Sequence, residues 1–196
     1  MDGVLIDAKD WHYDALNRAL GHFGYEITRY DHLVTFDGLP TRKKLEMLSK
    51  ERNLPQALHP FLNKLKQQYT LEAIHSRCRP RFEHENALSK LKAEGYRLAV
   101  ASNSIRKTVE VMMEKSSLAG YLDFIVSNED VSQPKPSSEI YEKTCGLLGL
   151  KPEECLVIED NEKGIKAAQG AGTRLMVVEE VTDVTYENIS ALIAQN

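Results

Sequence analysis

Cysteine is scarce in this chain: Cys78, Cys145 and Cys155 are odd in number, widely spaced and without a Cys-x-x-Cys pair. That gives no footing for a disulfide framework or a cysteine zinc site, and free thiols are the expectation. Long apolar runs are also lacking. No stretch approaches the roughly eighteen residues a membrane-spanning helix needs, and Met1-Asp2 has none of the basic character of a secretory signal. There is no excess of basic residues, since Lys and Arg number 25 against 29 Asp and Glu, for a net charge of -4. A broad nucleic-acid-binding surface is therefore a poor expectation. Internal repeats and low-complexity tracts are absent too. These absences predict a soluble, cytoplasmic protein with neither a nucleic-acid nor a membrane partner; the sequence leaves its assembly open, with a monomer or weak homodimer as the expectation.

What is present falls into two regimes that meet near Pro80. With 196 residues the chain can bury a real core and form one domain, or a core with an insertion. From Lys9 to about His75, apolar residues recur at three-to-four spacing: Ala15, Leu16, Ala19, Leu20 and Phe23, then Leu45 and Leu48, then Phe61, Leu62, Leu65 and Tyr69. This periodicity predicts helices, divided by Gly24, Gly38-Leu39-Pro40, Pro55 and Pro60 into about four. After Pro80 short apolar strands alternate with amphipathic helices, the signature of a parallel sheet covered on both faces. The pattern predicts strands at 97–101, 123–126, 155–158 and 174–178. Helices are predicted at 83–94, 104–116, 137–148, 162–171 and 185–194.

Ligands of such sheets bind beyond the carboxyl ends of the strands, and those positions here are rich in chemistry. Ser102-Asn103 follows one strand, Lys135-Pro136 lies in the loop after the next, and Glu159-Asp160 follows Leu156–Ile158. Asp2-Gly3 stands at the start of the chain. Taken singly, each has an ordinary alternative. Asp2-Gly3 could be a turn, Ser102 or Asn103 a helix N-cap, and Lys135-Pro136 a solvated loop. Asp160 or Asn161 could cap the helix that follows, although two adjacent acids after an apolar strand would repel each other without a cation.

In this order and spacing, the four resemble the motifs of the haloacid dehalogenase superfamily, in its phosphoglycolate phosphatase and β-phosphoglucomutase-like branch. The first motif of that branch runs Asp-x-Asp-Gly-Val-x-x-Asp, and Asp2-Gly3-Val4-Leu5-Ile6-Asp7 matches its second half. The resemblance spans essentially the whole chain. It implies an α/β fold: a Rossmann-like parallel sheet core of residues 1–7 and 80–196 with helices on both faces, and an inserted helical cap of residues 8–79. It further implies a magnesium-dependent phosphatase of a small phosphorylated metabolite, a sugar phosphate or a phosphoglycolate-like compound. By the match, Asp2 is the catalytic general acid and base, and Ser102, Asn103 and Lys135 bind the phosphoryl group. Mg2+ is held by Asp2, through its carbonyl, with Glu159 and Asp160. His12 and Arg42 fall where mutase-like members place substrate-contacting cap residues. Ala8 departs from those members, which commonly carry a hydroxyl residue there, and this favours a phosphatase over a phosphosugar mutase.

By the same match, the nucleophilic aspartate would stand one residue before Met1, and the apolar residues before it would form the central strand. A fold without that strand would lose about four buried side chains, roughly 6 to 12 kcal/mol, comparable to the whole stability of a typical domain. The expectation is therefore that the first, central strand is largely missing from this chain and that the natural protein extends upstream. The chain as it stands is expected to be inactive or severely impaired. The alternative from a different class is a non-catalytic phospholigand-binding protein that has lost the nucleophile.

Overall fold

The computed structural model describes residues 1–195. They divide into two compact units, Ala8–Arg77 on the one hand and Met1–Asp7 with the chain from Cys78 onward on the other.

The Ala8–Arg77 unit is helical because its apolar residues repeat at helical spacing. Helix α1 (Lys9–Gly21) buries Ala15, Leu16, Ala19 and Leu20 on one stripe. The chain turns at Gly24, where φ is +75°. Asn17 then anchors the returning strand of loop, accepting from the Ile27 N–H and donating to the Ile27 carbonyl, both at 2.8 Å. A short helix, α2 (Arg29–Asp31), is capped by the Thr28 hydroxyl and runs into a π-helical turn over His32–Phe36. Pro40 precedes α3 (Thr41–Arg52), and α4 (His59–Arg77) closes the unit. Leu16, Leu20, Ile27, Phe36, Leu45, Leu48 and Leu62 form its core.

In the other unit strands and helices alternate. Helix α5 (Phe82–Ala93) leads to β1 (Ala99–Ala101), α6 (Arg106–Lys115), β2 (Phe124–Val126) and α7 (Glu139–Leu148). Then come β3 (Leu156–Glu159), α8 (Glu162–Ala171), β4 (Arg174–Val177) and α9 (Tyr186–Ile193). β1 pairs with β2 and β3 with β4, both in parallel, as the intervening helical crossovers require. The small residues Ala167 and Ala168 of α8 pack with Ile140 and Tyr141 of α7 and with Val126 of β2. The architecture is thus mixed α/β with parallel strands. One feature differs from a single continuous sheet: among the described residues the strands form two separate pairs. Residues 1–7 run as tight turns, with the N–H groups of Val4, Leu5 and Ile6 all donating to the Met1 carbonyl. Asp2 and Ile6 meet in one isolated bridge. Among the described residues, no helix is long and apolar enough to cross a membrane.

Candidate active site

Four segments converge in the unit that holds Met1–Asp7. Gly3 adopts φ +73°, a left-handed conformation that glycine alone takes without strain. It also lacks the atom that would collide there, since a Cβ on Gly3 would run into the Asp160 carboxylate. The first and fourth segments are therefore in van der Waals contact through a missing side chain. Asp2 Oδ1 and Asp160 Oδ2 are both sealed from solvent. Asp2 Oδ2 accepts a hydrogen bond from the Ser104 hydroxyl at 3.2 Å, which ties the first segment to the second.

After β1 the chain is pinned by the Ser102 N–H, which donates to the Val126 carbonyl of β2 at 2.9 Å. Ser102 is buried, and its hydroxyl oxygen accepts from the Ser104 N–H. Asn103 grips the third segment with both ends of its amide: Oδ1 accepts from the Lys135 N–H at 3.0 Å and Nδ2 donates to the Lys135 carbonyl at 3.4 Å. Neither Ser102 nor Asn103 caps α6, whose N-cap position is Ile105.

Lys135 lies before a cis peptide bond to Pro136 and is only 7% exposed. Its ammonium has three protons and spends them on the Ala101 carbonyl at 3.0 Å, the Tyr141 hydroxyl at 2.8 Å and Glu159 Oε1 at 2.5 Å. Tyr141 in turn donates to Glu159. Burial raises the Glu159 carboxyl, but the Lys135 charge, the positive charge of the amino terminus and the hydrogen bonds from Lys135 and Tyr141 together outweigh it and hold it below the ordinary glutamate value. Burial, with the nearby Glu159 charge, pushes the Tyr141 phenol well above its ordinary value, so it remains a donor. Glu159 is received by a second glycine: a Cβ at Gly164, in the first turn of α8, would strike its carboxylate. The adjacent acids Glu159 and Asp160 thus have different surroundings. Glu159 is turned onto Lys135 and Tyr141, while Asp160 is turned onto Gly3.

Among the described residues no group of three or more His, Cys, Asp or Glu side chains is arranged to hold a metal ion. Two acids nevertheless suit magnesium, which takes few protein carboxylates and completes its octahedron with water and phosphate oxygens. The glycine cradle that admits Asp160 beside Asp2 and Gly3 fits this donor set. Glu159 fits it less well, because its carboxylate is committed to Lys135 and Tyr141.

The two residues expected in the cap lie in the Ala8–Arg77 unit. His12 Nδ1 accepts from the Lys66 ammonium at 3.1 Å, so α1 and α4 are joined there. Arg42 stands on the outer face of α3 with 75% of its side chain exposed, 3.7 Å from Glu46 one turn on. Sequence reasoning missed Ser104, Tyr141 and Gly164. Ser104 could have been found from the run Ser102-Asn103-Ser104, whereas Tyr141 and Gly164 read as ordinary helix residues.

This site is built of segments that follow the parallel strands together with the start of the chain. The profile of the haloacid dehalogenase-like hydrolases matches residues 1–178. The chain belongs to that family. It is 30% identical to a phosphoglycolate phosphatase of Aquifex aeolicus over 174 residues, 89% of this chain and 79% of that protein. It is 31% identical to the pyrophosphatase PpaX of Bacillus cereus over 187 residues, 91% of this chain and 80% of that protein. Among solved structures, β-phosphoglucomutase of Clostridium difficile superimposes with a TM-score of 0.83 at 20% identity, covering 97% of this chain and 92% of that one. CbbY of Rhodobacter sphaeroides, solved with phosphate, gives 0.81 at 22% identity over 90% and 82% of the two chains. The last two likenesses concern the fold.

Proposed function

We propose that this protein is a magnesium-dependent phosphatase of a small phosphorylated metabolite. The observation that carries the reading is the convergence of Asp2, Ser104, Asn103, Lys135 and Asp160, four separated segments joined through direct contacts. Family membership and the phosphatases among the relatives support it.

In this reading the phosphoryl group lies against the loop after β1. The Ser102 hydroxyl, whose oxygen already accepts from Ser104 N–H, donates its proton to a phosphoryl oxygen. Asn103 acts mainly by fixing the Lys135 backbone. Lys135, held by Glu159 and Tyr141, supplies a preorganised positive charge that offsets charge developing on the phosphoryl oxygens. Asp2 protonates the leaving oxygen and afterwards takes a proton from the attacking water, and Ser104 keeps its carboxylate in place. Asp160 with Asp2 would hold magnesium, which when bound neutralises phosphate charge and orients it in line. The phosphoaspartyl route, in which water hydrolyses an acyl phosphate, also requires a nucleophilic carboxylate, which in the family motif stands two places before the position that Asp2 matches.

The test is magnesium-dependent release of phosphate from an aryl phosphate by the protein extended through its upstream reading frame. Turnover that disappears in Asp2→Asn is expected. A folded, extended protein that releases no phosphate from any of a panel of sugar and carboxylate phosphates would sink the reading in favour of a non-catalytic binder.

A further inference from the structure

The outer edge of β4 carries backbone groups that the described chain leaves unengaged. Toward β3, the Arg174 N–H donates to the Cys155 carbonyl and the Val178 N–H to the Glu159 carbonyl, both at 2.9 Å, in the register that sets Met176 beside Ile158. Successive residues of a strand turn their N–H and C=O to opposite sides. Arg174, Met176 and Val178 therefore face β3, and Leu175 and Val177 face away from it. Among the described residues neither the N–H nor the C=O of Leu175 or Val177 has a hydrogen-bond partner. In β2, by contrast, the Ile125 carbonyl is held by the Arg106 guanidinium at 3.3 Å. Natural edge strands are commonly guarded by lysine, proline or a bulge. The run Leu175-Met176-Val177 contains no lysine or proline and pairs with β3 without interruption. Leu175 packs against the apolar cluster of α7 and α8, and Val177, which alternation puts on the same face, is 57% exposed.

We propose that this edge is a self-association surface, at which a second copy of the chain adds its own β4 antiparallel across a two-fold axis centred on Met176. In that register Leu175 lies opposite Val177 of the second copy, and each donates its N–H to the other's carbonyl. The two-fold repeats the exchange on the other side of Met176, so every outward group of Leu175 and Val177 is satisfied. Their side chains meet on one face, and the exposed valine gains an apolar cross-strand partner. The backbone stays extended at Glu180, with φ −131° and ψ 157°. On the opposite face this sets the exposed Glu180 diagonally across from Arg174 of the second copy. Arg174 gives one nitrogen to the Leu192 carbonyl and keeps the others for an acid. A second copy is the occupant because the edge is its own complement: donors with acceptors, leucine with valine, and base with acid all match at one register. Each copy has one such edge, so the association closes at two.

The experiment is sedimentation velocity of the full chain from micromolar to millimolar concentration, with amide hydrogen exchange followed residue by residue at both ends of that range. A species of twice 22.2 kDa is expected to grow in with concentration. Where it predominates, exchange at Leu175 and Val177 should slow by about tenfold or more, while Arg174, Met176 and Val178, already bonded to β3, change little. Val177→Lys puts a charge on both sides of the two-fold at once and should raise the dissociation constant of the dimer by about tenfold or more. Val34→Lys, at another exposed valine, should leave it within about twofold. A monomer throughout, assembly beyond two copies, a dimer in which Leu175 and Val177 exchange as they do in the monomer, or a dimer undiminished in Val177→Lys or weakened equally in Val34→Lys would overturn the proposal. The exchange measurement, made on the wild type, decides even if Val177→Lys fails to fold. None of these readouts involves phosphate release, so the strand pairing and the phosphatase reading stand or fall separately.

Discussion

Asp160 occupies the space that a side chain on Gly3 would fill, so the first and last motifs of the site depend on each other sterically. Gly3→Ala is expected to incur two penalties, the left-handed φ of +73° and displacement of the Asp160 carboxylate. Gly24 has nearly the same φ, +75°, with nothing within 4 Å of a Cβ. Gly24→Ala should therefore cost only the conformational part, about 1 kcal/mol, and Gly3→Ala at least about 1 kcal/mol more. Denaturant unfolding of the two variants measures the difference. Equal losses would mean that Asp160 relaxes without resistance.

Lys135 and Glu159 form an ion pair whose side chains are 8% and 7% exposed. Lys135→Met should destabilise the protein by about 3–5 kcal/mol because it leaves a buried carboxylate uncompensated, and Lys135→Met with Glu159→Leu should recover much of the loss. The pair also sets an acid limit. Since Glu159 titrates below the ordinary value in the folded protein, its contribution is present above the unfolded-state value and is lost as pH falls through the folded one. Stability should decline below about pH 4.3, and less steeply in Glu159→Gln. Denaturation curves between neutral pH and pH 3 provide the check.

The sequence made some of this legible because local and tertiary preferences agree. Helix α8 is an example: its apolar stripe begins after Asn161, whose side chain accepts from Lys163 N–H, and the helix ends where Gly172 turns left-handed. The strand expected at 97–101 shortens to Ala99–Ala101 because its first residues find other partners. Arg97 donates to the Leu148 carbonyl, and the Leu98 N–H donates to the Asp123 carboxylate. Those are tertiary bonds that no local pattern announces. In the site, the motif residues could be read from their order along the chain, but their division of labour could not. Nothing in Glu159-Asp160 tells which acid meets Lys135; that follows from Gly164 and Tyr141, one helix further on or back. Likewise, Arg42, Lys43 and Lys44 look alike in sequence, and only the register with Leu45 and Leu48 turns Lys44 inward.

His84 is 1% exposed, and its Nε2 lies 2.7 Å from the Val181 carbonyl, which fixes the proton on that nitrogen. Burial lowers its proton affinity, more than its backbone hydrogen bonds raise it. The sign of the pH effect follows. Above the ordinary histidine value, about 6.5, both folded and unfolded states hold it neutral and there is no pH dependence. Below it the unfolded chain takes up the proton first, so stability falls by about 1.4 kcal/mol per pH unit until the folded value is reached. His32 adds a loss of the same sign. Thermal unfolding between pH 7.5 and pH 5 should therefore show a downward slope that lessens in His84→Asn. An unchanged slope would place the proton uptake elsewhere.

The different surroundings of the two adjacent acids lead to opposite expectations for magnesium. Asp160, seated on Gly3 near Asp2, would be the ligand, and Glu159, bound by Lys135 and Tyr141, the anchor of the lysine. A metal that binds only the folded protein raises its unfolding temperature, by an amount that grows with the logarithm of the metal concentration once this exceeds Kd. Wild type should show such a rise with magnesium, and Asp160→Asn should abolish it with little change in stability when magnesium is absent. Glu159→Gln should do the reverse, lowering stability without magnesium because Lys135 is left buried and unpaired, yet keeping a magnesium-dependent rise. Thermal unfolding of the three proteins with and without the ion separates the roles. A magnesium response lost in Glu159→Gln and retained in Asp160→Asn would reverse the assignment and make Glu159 the metal ligand.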